Sequence, residues 1–278
     1  MSLNTELAGK AYEVSTYEVT ADAIENYAAA TNEDNPAFKG PDAVAPPCFP
    51  IVPAGNGLGQ AMLDPELNAN IALLVHGEED HLLHKPIKVG DVLTVASTLD
   101  SVEIKETGET FTVLTTLTDQ NDEKAAELRS LMFIRGTASR KKPSPVAEEP
   151  EREVAFKSDL TIDSDQTYRY AEASGDHNLI HVDEDFAKNV AGLPGIIVHG
   201  MCTMAFVGKA VLDEACGGDP ARLRRLKVRF SKPVFPGQTI STVGWVESAA
   251  NGTTTYGFEA TNPRGAAVIR NGLAEVFS

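Results

Sequence analysis

Part of this sequence is written twice. The stretch A-T-N-E-D-N-P-A-F at Ala30–Phe38 returns as A-S-G-D-H-N-L-I-H at Ala173–His181, 143 residues later. H-K-P-I-K-V-G-D at His84–Asp91 returns as S-K-P-V-F-P-G-Q at Ser231–Gln238, 147 residues later. A spacing that long marks a duplicated domain, because solenoid repeats recur every 20 to 50 residues. The length of 278 residues suits two units of roughly 100 to 150 residues each. Between the copies, R-K-K-P-S-P-V-A-E-E-P-E-R-E at Arg140–Glu153 is rich in proline and charge and reads as a linker. The expected organisation is an amino-terminal unit over 1–139, a linker over 140–153 and a carboxy-terminal unit over 154–278.

Within the second copy, D-S-D-Q at Asp163–Gln166 has the pattern of a reciprocal capping box, and Gly175 supplies a stop, so a helix is expected between them. From His199 onward, Met201, Met204, Ala205, Gly208, Val211 and Leu212 fall on one helical stripe, which predicts a longer apolar helix. After Pro233 the period changes to two. Q-T-I-S-T-V-G-W-V-E, T-T-T-Y-G-F-E-A-T and A-A-V-I-R-N-G-L-A-E-V-F alternate between A-N-G and N-P-R-G turns, the pattern of an antiparallel meander. The first copy repeats it with D-V-L-T-V-A-S-T-L-D, T-F-T-V-L-T-T-L-T and A-E-L-R-S-L-M-F-I-R. Each half is therefore expected to be an α+β unit, helix first and meander last, whose sheet buries one face against its own helix.

Composition removes several functions. A formal net charge of −16 disfavours nucleic acid and anionic membrane faces as partners. No apolar run reaches the ~20 residues that cross a bilayer. Cys48, Cys202 and Cys216 are odd in number and form no C-x-x-C pair, and M-S-L-N-T-E-L lacks a signal-peptide profile, so a reducing cytoplasm is the expected compartment.

The stretch Y-A-E-A-S-G-D-H-N-L-I-H-V-D-E-D-F-A at Tyr170–Ala187 resembles the signature of the (R)-specific enoyl-CoA hydratases, the MaoC-like members of the hot-dog superfamily. I-I-V-H-G-M-C-T-M at Ile196–Met204 and K-V-R-F-S-K-P-V-F-P-G-Q-T at Lys227–Thr239 agree with it. The resemblance covers nearly all of the second half and, through the repeat, more faintly the first. It implies a double hot-dog fold: two tandem units, each an antiparallel sheet wrapped around a central helix, standing in for a dimer of single ones. Ala173 replaces the branched aliphatic residue usual in the family and Leu179 its usual proline; neither position supplies chemistry.

Hydrating a 2-enoyl thioester needs a base for water, an acid for the α-carbon and a donor for the enolate oxygen. An aspartate and a histidine around one water can divide the first two tasks. Alone, Asp176 reads as an Asx-type helix stop and His181 as a partly buried histidine. Their occurrence together in S-G-D-x-N-x-x-H, with H-G at a later helix start, favours the acid–base pair. The resemblance implies that the loop brings Asp176 and His181 onto one water, with Asn178 securing the loop and helping to orient that water. Gly200, at the start of a buried helix, resembles the family's oxyanion-hole glycine; a helix start points unpaired N–H groups at what lies in front of it. In the first copy Glu33 stands for Asp176 and Phe38 for His181, so one active site per chain is expected, with the first half shaping the acyl pocket.

Six cations, Arg222, Arg224, Arg225, Lys227, Arg229 and Lys232, crowd one strand and its end. Alternation turns Leu226, Val228 and Phe230 inward and Arg225, Lys227 and Arg229 outward. That face is either solvated or a landing site for coenzyme A phosphates or an acidic acyl carrier protein; His199, Arg229 and Lys232 are the expected substrate-binding residues beside Asn178. H-G-E-E-D-H-L-L-H at His76–His84 looks like a metal site, but His81 and His84, three apart on a strand, face opposite sides. G-N-G-L-G at Gly55–Gly59 lacks the context of a dinucleotide fingerprint and reads as a distorted helix start. Cys202 lies at a helix start that lowers thiol pKa values, yet points along an apolar stripe. The expectation is thus a hydro-lyase acting on a coenzyme A or carrier-protein thioester, with no metal or redox cofactor, as a monomer or homodimer. The rivals are a hot-dog acyl-CoA thioesterase and a non-catalytic acyl-binding module.

Overall fold

The computed structural model describes residues 2–105, 108–135 and 152–278, so residues 140–151 of the expected linker and the first domain boundary lie outside the described residues. The first copy runs β1 (Ser15–Glu18), α1 (Ala21–Ala30), α2 (Ile51–Met62), β2 (Leu74–Leu83), β3 (Val92–Lys105), β4 (Gly108–Thr118) and β5 (Lys124–Arg135). The second runs β6 (Phe156–Thr161), α3 (Gln166–Ser174), the single turn α4 (Leu179–Val182), α5 (Gly200–Glu214), β7 (Leu223–Phe230), β8 (Thr239–Ala250), β9 (Thr253–Thr261) and β10 (Ala267–Phe277). This is the double hot-dog architecture.

The strands form one sheet of ten in the order β1-β3-β4-β5-β2-β7-β10-β9-β8-β6. Exchanging each strand for its repeat counterpart reads the same order backwards, so the copies are related by a pseudo-two-fold axis. The axis passes between β2 and β7, where Asp80 lies opposite Lys227, the residue 147 positions on. The counterparts Tyr27 of α1 and Tyr170 of α3 also meet, with ring centroids 5.8 Å apart.

Helix α5 is buried on every side rather than along one stripe, since Cys202, Phe206, Val207 and Ala210 are enclosed as fully as Met204 and Val211. The sheet closes over the helix, and each large apolar side chain it encloses contributes ~1.5–3 kcal/mol of burial free energy.

Three expectations are corrected. Each copy begins with a strand rather than a helix, and these short strands, β1 and β6, occupy the two sheet edges. A short edge strand is a weak sequence signal and also a common means of protecting an edge. The capping box forms by half: the Gln166 side chain accepts from the Asp163 N–H at 3.0 Å, but the Asp163 carboxylate accepts from Asn32 and Arg169 instead of closing the box. G-N-G-L-G lies inside α2, not at its start, and Gly57 is required by close approach: a Cβ there would stand 2.0 Å from Ser97 Oγ of β3.

Candidate active site

Helix α3 stops at Gly175, whose φ of +77° is the left-handed conformation that glycine adopts without strain. Two side chains fold the next residues back. Asp176 Oδ1 accepts from the Asn178 N–H at 3.1 Å, and Asn178 Oδ1 accepts from the Ile180 N–H at 3.2 Å, capping α4. That turn carries His181 inward, to 7% exposure, while Asp176 remains exposed. His181 Nδ1–H donates to the Ile197 carbonyl at 2.7 Å, which leaves Nε2 as the free, basic nitrogen.

The chain returns alongside through Ile197, whose N–H donates to Ile180 O, to His199, the residue before α5. His199 Nε2–H donates to the backbone oxygen of Asp176 at 2.9 Å, and its ring stacks on His181 at 3.8 Å. Ligand-capable atoms of Asp176, His181 and His199 all lie within 4.8 Å of one another. Two hydrogen bonds of 2.8 Å meeting at a tetrahedral angle span about 4.6 Å, so Asp176 and His181 can hold one water between them.

Burial lowers the pKa of His181; the Ile197 carbonyl and the Asp176 charge oppose that shift without reversing it. His199 is lowered further, by burial first and by the neighbouring His181 second. Both rings are therefore held neutral, with Nε2 of His181 the accessible base. The same three residues are the group among those described that could hold a metal ion. The stacked rings send their lone pairs side by side rather than to one point, and His199 Nε2 is committed to a carbonyl, so the geometry fits proton transfer better than ligation.

Gly200 opens α5, where helix geometry leaves its N–H without an intrahelical acceptor. A Cβ on Gly200 would stand 3.3 Å from the Phe230 ring, so a side chain at this helix start would crowd that ring. His199 thus joins three parts: it tethers the Asp176 loop, stacks on His181 and precedes the Gly200 amide.

The first copy keeps the loop without the chemistry. Asn35 Oδ1 caps Ala37 N at 2.9 Å as Asn178 caps Ile180, but Phe38, fully buried, replaces His181. At the two helix starts Pro50 and Ile51 stand where His199 and Gly200 do. Glu33 is turned to Lys209 of α5 at 3.2 Å, and burial raises its pKa despite that cation.

Of the expected substrate-binding residues, Asn178 shapes the loop. His199, 1% exposed and engaged with Asp176 and His181, holds the site rather than touching a ligand. Arg229 is separated from the site: it lies on the outer face of the sheet, 3.7 Å from Glu78, whereas Phe230 faces α5. Arg225 pairs with Asp80 and Glu275 and Lys227 with Glu78, while Arg224 donates to the His84 carbonyl and lies over the Phe277 ring. Lys232, past the end of β7, is exposed. Cys202 is fully buried and its thiol pKa is pushed up, the reverse of activation.

Strand β2 departs from simple alternation at one place. Gly77 forms a β-bulge in β2, so His76 and Glu79, three apart, share the inner face. Glu79 Oε2 and Oε1 accept from His76 Nε2 at 2.8 Å and His81 Nε2 at 2.9 Å. His84 does face away, toward Glu127. A glycine within a strand pattern was the available signal of the bulge.

Each half of the chain is similar to known proteins. A family model described as "MaoC like domain" matches residues 145–266, and another described as "FAS1-like, dehydratase domain region" matches residues 6–128. The 3-hydroxyacyl-thioester dehydratase Y of Mycobacterium tuberculosis is 33% identical over 183 residues, 63% of each chain. A probable enoyl-CoA hydratase 2 of Dictyostelium discoideum is 29% identical over 211 residues, 73% of this chain and 69% of its own. The crystal structure of a MaoC-like dehydratase from Phytophthora capsici is 29% identical and superposes with a TM-score of 0.82 over 99% of this chain and 98% of that one. This chain thus spans just under two thirds of the mycobacterial relative.

Proposed function

We propose that this chain, whose residues 145–266 match the MaoC-like domain, is a hydro-lyase converting trans-2-enoyl thioesters to (3R)-3-hydroxyacyl thioesters and back in fatty acyl metabolism. The observation that carries this reading is the carboxylate of Asp176 and the imidazole of His181 within one water's reach, tied by His199 to the helix start at Gly200.

In the hydration direction, the water oxygen forms a bond to Cβ as His181 Nε2 and Asp176 draw off a proton. The alkene electrons move through Cα to the thioester oxygen, giving an enolate that the Gly200 N–H stabilises; one such donor contributes about 3 kcal/mol to lowering the barrier. Collapse of the enolate takes a proton onto Cα from the same acid–base pair, so the elements of one water are added and the catalyst is restored. Because His181 is kept neutral by burial, it is ready to accept a proton at physiological pH. No step calls on a metal or redox cofactor. The first copy, lacking a proton carrier at Phe38, shapes the acyl pocket.

The pairing of the β7 cations with Glu78, Asp80 and Glu275 leaves little free basic surface for an acidic carrier protein, which supports a coenzyme A thioester as the substrate and Lys232 as the cation for its phosphates. No helix among the described residues is long and apolar enough to cross a membrane. Three buried, unpaired cysteines support a reducing compartment such as the cytoplasm. The dimer-like sheet is completed within one chain, which fits a monomer or a homodimer of such chains.

The test is crotonyl-CoA. Enoyl absorbance falls with no free thiol released, and the product is the (3R) stereoisomer. Thiol release would replace this reading with a thioesterase, and binding without turnover with an acyl-binding module.

A further inference from the structure

The buried cluster on β2 is not used by the reaction above. Glu79 and His81 are fully buried, and their counterparts across the pseudo-two-fold axis are Leu226 and Val228, plain core residues. His81 also directs Nδ1 to the Pro47 carbonyl at 3.4 Å. A buried ion pair is a poor way to gain stability where leucine and valine fill the same place. What Glu79 and His81 do is hold His76, which is 18% exposed, with its Nε2–H fixed on the carboxylate.

Two observations place His76 at the substrate channel. Its ring packs against Phe230 at 5.0 Å, and Phe230 is the ring that faces Gly200 at 3.3 Å from a Cβ position. The first copy also has a shallow groove beside its own helix start, walled by Pro47, Pro50, Leu83 and Leu223. Both copies carry the bulge, at Gly77 in β2 and at Arg224 in β7, so the counterparts of Leu83, Leu223 and Pro50 are Phe230, His76 and His199. The same wall in the second copy therefore carries an imidazole where the first has leucine.

We propose that His76 is a specificity-determining residue of the carboxy-terminal site, offering Nδ1 to an amide N–H or hydroxyl of the thioester ligand as it passes Phe230. The inference rests on the hydratase reading of that site. The group it meets belongs either to the pantetheine arm, common to all substrates, or to a polar acyl substituent.

Three thioesters separate these: crotonyl-CoA, a medium-chain 2-enoyl-CoA with a terminal hydroxyl, and the crotonyl thioester of N-acetylcysteamine, which lacks most of the pantetheine arm. In His76→Leu, KM rises about tenfold, the loss of one hydrogen bond, with kcat per folded molecule within twofold; Tm falls because the buried Glu79 carboxylate loses one of its two donors, and His76→Gln restores most of both. A contact to the outer amide of the pantetheine arm raises KM for both coenzyme A substrates and not for the truncated one, a contact to the amide next to the thioester, which N-acetylcysteamine keeps, raises it for all three, and an acyl contact raises it for the hydroxylated substrate alone. Calorimetric Kd values for the saturated analogues give the same comparison without turnover. Unchanged KM and Kd for every ligand, or kcat and KM failing together with Tm, overturns the role of His76. Wild-type protein that hydrates none of the three overturns the activity instead, while the Kd values still decide His76.

Discussion

The loops at Glu33–Phe38 and Asp176–His181 have nearly the same backbone. Asn35 and Asn178 have φ, ψ of −56°, 127° and −57°, 127°, and each caps the residue two positions on. Yet one loop brings a carboxylate and an imidazole within one water's reach of each other, and the other buries a phenylalanine and turns its carboxylate to Lys209. Main-chain shape and proton chemistry are therefore separable: the Asx turns hold the loop whichever side chains it carries. The central strands differ the other way, the first copy burying polar side chains at Glu79 and His81 and the second keeping Leu226 and Val228. The copy without the acid–base pair carries a polar wall where the other has aliphatic core.

The contrast is broken most directly at Asp176. Asp176→Asn preserves the turn, because its side-chain oxygen still accepts from Asn178, and lowers crotonyl-CoA hydration about 10³-fold with unchanged Tm; a loss under tenfold would refute the assignment. Glu79→Gln probes the central strands. Burial opposes ionisation of Glu79, but hydrogen bonds from His76 and His81 override it and hold the carboxyl at about 2, against an ordinary 4.5. A folded-state value below the unfolded one means that its contribution is present above about 4.5 and is lost as pH falls toward 2. Glu79→Gln should cost about 3 kcal/mol in urea unfolding at pH 7, and the pH dependence of stability between those values should flatten. An unaltered acid profile would assign that dependence to other groups.

Glu33→Gln sharpens the comparison of the loops. The half-buried Lys209 keeps Asp34 and Asp213, so the expected loss is about 1 kcal/mol. Turnover per folded molecule should stay at least two orders of magnitude above that of Asp176→Asn. Equal losses at Glu33 and Asp176 would make the first copy a second catalytic site. The smallest effect is expected at Arg229→Glu, on the outer face: KM for crotonyl-CoA should change less than twofold at low salt, and a larger rise would return that face to coenzyme A binding.

Local signals carried much of this protein. The meanders, the Gly175 stop, the apolar α5 and the turn carrying Asp176, Asn178 and His181 depend on residues within a turn or two of one another, where spacing and periodicity act directly, and the duplication was legible because both copies keep such local patterns. Helix α3 was legible while its cap was not, because Asp163 found Arg169 and Asn32, the latter in the other copy. The role of His199 was misread for a similar reason: a histidine before a helix says nothing about which carbonyl or ring it will meet.

What the sequence determined by itself was two related units, one with the residues for moving a proton and one without. What only the tertiary structure decided was how the units share one sheet, that Arg229 faces away from the site, and that a bulge at Gly77 turns His76 toward Phe230 and onto the carboxylate of Glu79. The physical reason is one of range. Turns and caps are set by neighbours along the chain, whereas the direction of a side chain in a sheet depends on a register that closes only when strands far apart in sequence pair.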